Sequence, residues 1–193
     1  MILDRPHRLL MVLALSGLAF AGGVAAAEPA SARSQEVNAC SFLSAADVTA
    51  AIGIEVETGL RKDSGRTGDG AYADNGSYSS TCLWRVAADR DKANPNLPLG
   101  GASFASLNVM SWPPGSGDAK TFLQSFRDAG KEHTIAMMPV ALAIGDEALW
   151  WGDGVAVRKG DISLGVSIHL VGDRTRERGI AENLAGQIVG RLK

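Results

Sequence analysis

Lys159-Gly-Asp-Ile162-Ser-Leu-Gly-Val-Ser-Ile-His169-Leu170 is the stretch on which the fold turns. Ile162, Leu164, Val166, Ile168 and Leu170 alternate with Ser163, Gly165, Ser167 and His169, the period of two that gives a strand one apolar and one small or polar face. Gly160-Asp161 suits a two-residue hairpin turn of type II′, with glycine at the position that needs positive φ. That turn pairs Lys159 with Ile162, Val157 with Leu164 and Val155 with Val166, so the apolar faces of both strands agree. Upstream, a three-residue Gly152-Asp153-Gly154 loop pairs Trp151 with Val155. Leu149 and Trp151 then join the buried face, and Trp150 falls on the other face beside Ala156 and Gly165. A four-residue loop would swap the two tryptophans.

Outward from this meander, other elements follow from their punctuation. Ser44 is an N-cap, Asp47 three residues on completes an acidic capping box, and Leu43 and Val48 form a hydrophobic staple. Gly53 stops that helix, which spans 45–52. Residues 54–60 alternate as a strand, 63–77 read as a Gly/Asp/Ser loop, and 78–87 form a strand with Cys82, Trp84 and Val86 on one face. Residues 89–101, with Pro95 and Pro98, are a loop, and 103–112 a third strand closed by Pro113-Pro114. A helix over 118–129 carries Phe122, Leu123, Phe126 and Ala129 as its stripe. The last helix runs from about Thr175, with Asp173 as cap, to Leu192, with Ile180, Leu184, Ile188, Val189 and Leu192 on one face. The order αβββαβββα, with adjacent strands rather than βαβ units, predicts an α+β fold. We expect a twisted antiparallel sheet of about six strands in two meanders, with three helices mostly on one face.

The N-terminus sets the compartment. Arg5 and Arg8 precede an apolar run over 9–24, and Ala25-Ala26-Ala27 supplies small residues for cleavage, so 1–27 reads as a signal peptide, with an uncleaved anchor as the alternative. Residues 28–38 read as a flexible leader and 39–193 as one domain. The expected location is secreted or periplasmic, with no membrane span after cleavage. The 193 residues carry 19 basic and 21 acidic side chains; losing Asp4, Arg5 and Arg8 moves the net charge from −2 to −3. A weakly acidic domain is poorly suited to nucleic acid, whose phosphates need clustered Lys and Arg. The only cysteines are Cys40 and Cys82. In an oxidising compartment such a pair is expected to form a disulfide. A metal site lacks ligands, since only His133 and His169 remain as histidines after cleavage, and no C-x-x-C occurs.

Cys40-Ser-Phe-Leu-Ser-Ala-Ala-Asp-Val48 with Gly53, then Cys82-Leu-Trp84, then Gly145-Asp146-Glu147-Ala148 and Lys159-Gly160-Asp161, resembles a family of small exported bacterial domains of unknown function, many of them lipoproteins. The resemblance spans roughly residues 39–192 and rests on short motifs. It implies a cysteine pair and an α+β fold, and it carries no catalytic residues. The chain departs from it in having no lipobox cysteine, which puts surface anchoring in doubt.

Candidate chemistry is sparse. His169 shares the small-residue face with Ser163 and Ser167, so a base beside a hydroxyl is one reading; the plainer one is a solvated histidine near a strand end. No G-x-S-x-G elbow or third orienting group accompanies it. Trp112, Trp150 and Trp151 stand out in a chain with 6% aromatics, either as a stacking surface or as packing over strand glycines. Asp63, Asp69 and Asp74 suggest a calcium loop but their spacing fits no EF-hand, and the phosphate-loop pattern is absent. Arg174, Arg176 and Arg178 crowd the positive end of the last helix, where an anion or acidic partner would offset them; solvated side chains are the alternative. His133 reads as an exposed residue after a helix end. The expectation is a non-enzymatic domain, without cofactor or metal, that binds a small ligand or an envelope protein through a sheet face and its loops. Trp150, Trp112, Ser163, Ser167 and His169 are the candidate binding residues. The rivals are an accessory or inhibitor protein acting by surface contact, and a hydrolase with His169 as base.

Overall fold

The computed structural model describes residues 33–66, 76–88 and 102–192. The signal segment, the first part of the leader, Asp69, Asp74 and the 89–101 loop lie outside the described residues. A short 3-10 turn, Ala39–Ser41, leads into α1 (Ala45–Ile52); β1 (Leu60–Arg66), β2 (Tyr78–Arg85) and β3 (Phe104–Ser111) follow, then α2 (Asp118–Lys131). Next come β4 (Val140–Leu142), β5 (Glu147–Trp150), β6 (Val155–Lys159), β7 (Ile162–His169) and α3 (Glu177–Arg191). The seven strands form one antiparallel sheet in the order β1-β2-β3-β7-β6-β5-β4. Two meanders, one of three strands and one of four, join where β3 pairs with β7. The α+β class stands, with one strand more than the six expected.

The β6–β7 hairpin has the predicted register, Lys159↔Ile162, Val157↔Leu164 and Val155↔Val166. Gly160 takes φ 57°, and the Asp146 carboxylate accepts from its N–H at 2.7 Å. That bond and the Lys159 ammonium hold Asp146 below the usual carboxylate range. The hairpin before it differs from the preferred reading. Trp150, not Trp151, pairs with Val155, and the Trp151 N–H closes a four-residue loop onto the Gly154 carbonyl at 3.1 Å. The one-residue change puts Trp150 on the core face and Trp151 on the other.

Two strands escape a hydropathy reading. Most of the predicted strand over 54–60 makes only an isolated bridge, Val56↔Val86; regular pairing begins at its last residue, Leu60, and runs on to Arg66 inside the expected 63–77 loop. Residues 60–64 of β1 are exposed and mostly charged or polar, the composition by which edge strands resist pairing with other chains, so alternation does not reveal it. β4 is too short to show a period.

The chain packs so closely on the core just before β1 that only glycine fits there. A Cβ on Gly59 would lie 2.6 Å from Cys82 Sγ and 2.7 Å from Trp84 Nε1. Both groups are buried and cannot retreat. Gly59→Ala is therefore expected to cost roughly 1–3 kcal/mol by overpacking, read as a lowered urea midpoint.

The main core lies between one sheet face and the α1/α3 pair. Cys82, Trp84, Leu107, Val109, Val155, Val157, Leu164 and Val166 meet Ile52, Leu184 and Ile188 there. Cys40 and Cys82 are bonded, tying the 3-10 turn to the middle of β2. The end of the leader is docked as well: Ser34 is buried and its hydroxyl donates to the Gly76 carbonyl.

α1 is closed by the predicted capping box and by Gly53 at φ 78°. Asp47 also pairs with Arg191 of α3 at 3.2 Å. The Arg191 guanidinium, then the Ser44 N–H, hold the Asp47 carboxyl far below its ordinary value. A depressed folded-state pKa contributes stability that is complete above the unfolded value, about 3.9, and is lost as pH falls below it. Asp47→Asn is thus expected to cost roughly 0.5–1 kcal/mol at pH 7 and to flatten the fall of stability below about pH 4. Urea unfolding of both proteins at pH 7 and pH 3 checks this.

Candidate functional site

The second sheet face carries Ser79, Thr81, Leu83 and Arg85 from β2, Phe104, Ser106, Asn108 and Met110 from β3, and Ser163, Gly165, Ser167 and His169 from β7, brought level by the β2–β3 and β3–β7 registers. α2 covers only part of it. Leu123 is fully buried under that helix, Phe122 packs on Met110 and Trp112, and the Phe126 and Trp151 rings lie 5.8 Å apart. α2 therefore sits opposite α1 and α3, and the helices do not share a face. The β2–β3–β7 portion remains open: Ser106, Asn108, Gly165, Ser167 and His169 are all part-exposed. A Cβ on Gly165 would meet nothing within 4 Å.

At the end of this open portion, Phe104, Ser106, Ser167, His169, Asp153 and Arg174 line a cavity of about 340 Å³. The Phe104 and His169 rings form a tilted pair at 5.4 Å. Behind His169, Glu177 is buried in the first turn of α3 and its Oε1 accepts from the Leu170 N–H at 2.8 Å. Arg174 donates to Asp153 at 3.0 Å and to Glu177 at 3.4 Å. These two acids raise the Arg174 pKa further above its ordinary value, Glu177 contributing most. A second, smaller hollow of about 220 Å³ lies beside it, lined by Glu57, Thr58, Leu60, Leu83 and Arg85. Leu83 and Arg85 are the cross-strand partners of Ser106 and Phe104, so the hollows are neighbours across one strand spacing.

The candidate binding residues separate into two groups. Ser167 and His169 do line the cavity. Trp150 does not: it is 8% exposed in the main core, with the Arg178 guanidinium 5.8 Å from its ring centre. Trp112 and Ser163 are both buried beside α2, and the indole N–H donates to the Ser163 hydroxyl at 2.8 Å. They are a satisfied packing pair away from the open surface.

His169 stands 3.9 Å from Glu177 and is 41% exposed. Among the described residues no hydroxyl is hydrogen-bonded to it. Asp63 is occupied by Arg61, Ser80 and Tyr78, which removes it from a calcium loop. No group of three or more His, Cys, Asp or Glu side chains suited to a metal occurs among the described residues. The three arginines find internal partners: Arg174 the two acids, Arg176 the Ile52 carbonyl at 2.7 Å, and Arg178 both Glu182 and the Trp150 ring. His133 is exposed at φ 57° after α2.

Phe104, Ser106, Asp153 and Glu177 escaped the sequence reading, which singled out Arg174 only as one of three arginines awaiting an anion or acidic partner. Asp153 and Arg174 lie in separate loops and meet only through the fold. Ser106 was readable as an outward position of its strand, but nothing in sequence distinguishes an outward serine in a cavity from one in open solvent.

Among the described residues no helix is long and apolar enough to cross a membrane. Compared with family models, curated proteins and solved structures, the chain matches none.

Proposed function

We propose that this is an exported, non-enzymatic domain that binds a small ligand or an envelope protein through the open half of its second sheet face. The observation that carries it is the unequal covering of that face. α2 seals the β5–β6 side, while Ser106, Asn108, Gly165, Ser167 and His169 remain part-exposed beside a formed cavity. A pocket of this size lies at the small end of the range for ligand sites. The disulfide and the signal-like start support export, as does the likeness of the cysteine motifs to small exported bacterial domains.

N-terminal sequencing of the protein recovered outside the cytoplasm is expected to begin near Glu28. For the binding face, amide spectra of labelled protein are recorded in the soluble envelope extract of the producing cell. Shifts or broadening are expected on β2, β3 and β7 around Ser106 and Ser167. Spectra that change uniformly, or not at all, would overturn the reading.

A further inference from the structure

We infer that the paired hollows take a neutral, polyhydroxylated ligand, an oligosaccharide of two or more units; this rests on the binding reading above. Charge narrows the class first. Arg174 is the cation of the larger cavity, and its charge is offset by both Asp153 and Glu177. Arg174, Asp153 and Glu177 together carry one negative charge, so an anion meeting Arg174 there finds no spare positive charge on it and must displace an existing ion pair. Arg85 faces the smaller hollow with Glu57 beside it.

Hydrogen-bonding capacity narrows it further. Ser106 and Ser167 lie directly opposite each other, and neither hydroxyl has a side-chain partner among the described residues. A hydroxyl both donates and accepts, so a facing pair matches ligand hydroxyls in either sense. The exposed Asp153–Arg174 pair adds an acceptor beside a donor at the rim. Phe104 supplies an apolar ring face against which the C–H face of a sugar can pack, and His169 beside it adds ring nitrogens that hydrogen-bond ligand hydroxyls. Length follows from the second hollow. Leu83 pairs with Ser106 and Leu60 with Leu83, so a ligand seated over Ser106 continues across β2 toward exposed Leu60 along one sheet row.

The test is amide-shift titration of the mature protein with maltotriose, cellotriose and chitotriose, each to about 10 mM, and with inorganic phosphate as the anionic control, a range that captures millimolar affinity. At least one saccharide, and not phosphate, is expected to move the amides of Leu83, Ser106, Ser167 and His169. Ser106→Trp, whose ring fills the cavity from the side away from the core, is expected to weaken binding roughly ten-fold or more, and Ser167→Ala roughly three- to ten-fold through one lost hydrogen bond. Ser167→Ala changes almost no volume, so it reads the contact even if Ser106→Trp disturbs the sheet. The inference falls if none of the three saccharides moves these amides, if phosphate moves them more, or if both variants bind unchanged. Should the envelope extract perturb this face while all three saccharides leave it untouched, the saccharide falls and the binding face stands. If neither perturbs it, both fall.

Discussion

Removing the crosslink with the double substitution Cys40→Ala and Cys82→Ala is expected to destabilise the domain by about 4 kcal/mol. The two cysteines are 42 positions apart, and the closed loop contains α1, β1 and the segment between β1 and β2. Without the bond the unfolded chain regains the freedom of that whole loop. The native state also loses its link between the 3-10 turn and the middle of β2. α1 has only eight residues, too few to persist without tertiary support, so its attachment matters beyond the entropy of closure. At roughly 2–4 °C per kcal/mol for a domain of this size, the thermal midpoint is expected to fall by about 8–16 °C. Calorimetry of the oxidised, reduced and double-substituted proteins checks the magnitude, and amide exchange is expected to rise first in 45–52. Two reactive thiols in unfolded, unreduced protein, or a midpoint insensitive to reductant, would contradict the assignment.

The adjacent tryptophans should behave oppositely. Trp150→Ala is expected to cost about 3–5 kcal/mol, the range for truncating a large buried aromatic. Trp150 closes one end of the main core beside Val155 and lies under Arg178. Trp151→Ala is expected to cost about 1 kcal/mol, because that side chain is only half-buried and packs on Phe126. Urea midpoints of the two variants decide it. Equal losses, or a larger loss at Trp151, would mean that the β5–β6 loop has three residues and that the faces are reversed. In saccharide titrations, Trp150→Ala should change stability more than affinity, since Trp150 lies on the opposite side of the sheet from the cavity.

The β6–β7 hairpin and α1 were legible because their determinants are local. A glycine at the one turn position needing positive φ, strict alternation over nine residues, and a capping box closed by glycine each specify geometry within a few bonds. The pairing of Cys40 with Cys82 followed from compartment and count alone. β1 was not legible because an exposed, charged edge strand carries no hydrophobic signal; its pairing is supplied by β2. The site was legible only in part. Ser167 and His169 were placed on the correct strand face, but α2 decided which end of that face stays open, and no periodicity encodes where a helix comes to rest. Trp150 was misplaced by a single residue of loop length.

The sequence by itself thus determined the ends of α1, the β6–β7 register, the cysteine pair and the antiparallel α+β class, all of which depend on short-range stereochemistry or on composition; α2 runs on to Lys131, and α3 starts at Glu177 with no side-chain cap rather than at Thr175 under Asp173. Only the tertiary structure decided that α2 lies alone on the second face, that Trp112 and Ser163 satisfy each other beneath it, and that Arg174 meets Asp153 and Glu177 beside Ser106. These contacts join residues 3 to 51 positions apart, and they exist because a sheet of fixed register brings distant outward positions level while a covering helix leaves some of them uncovered.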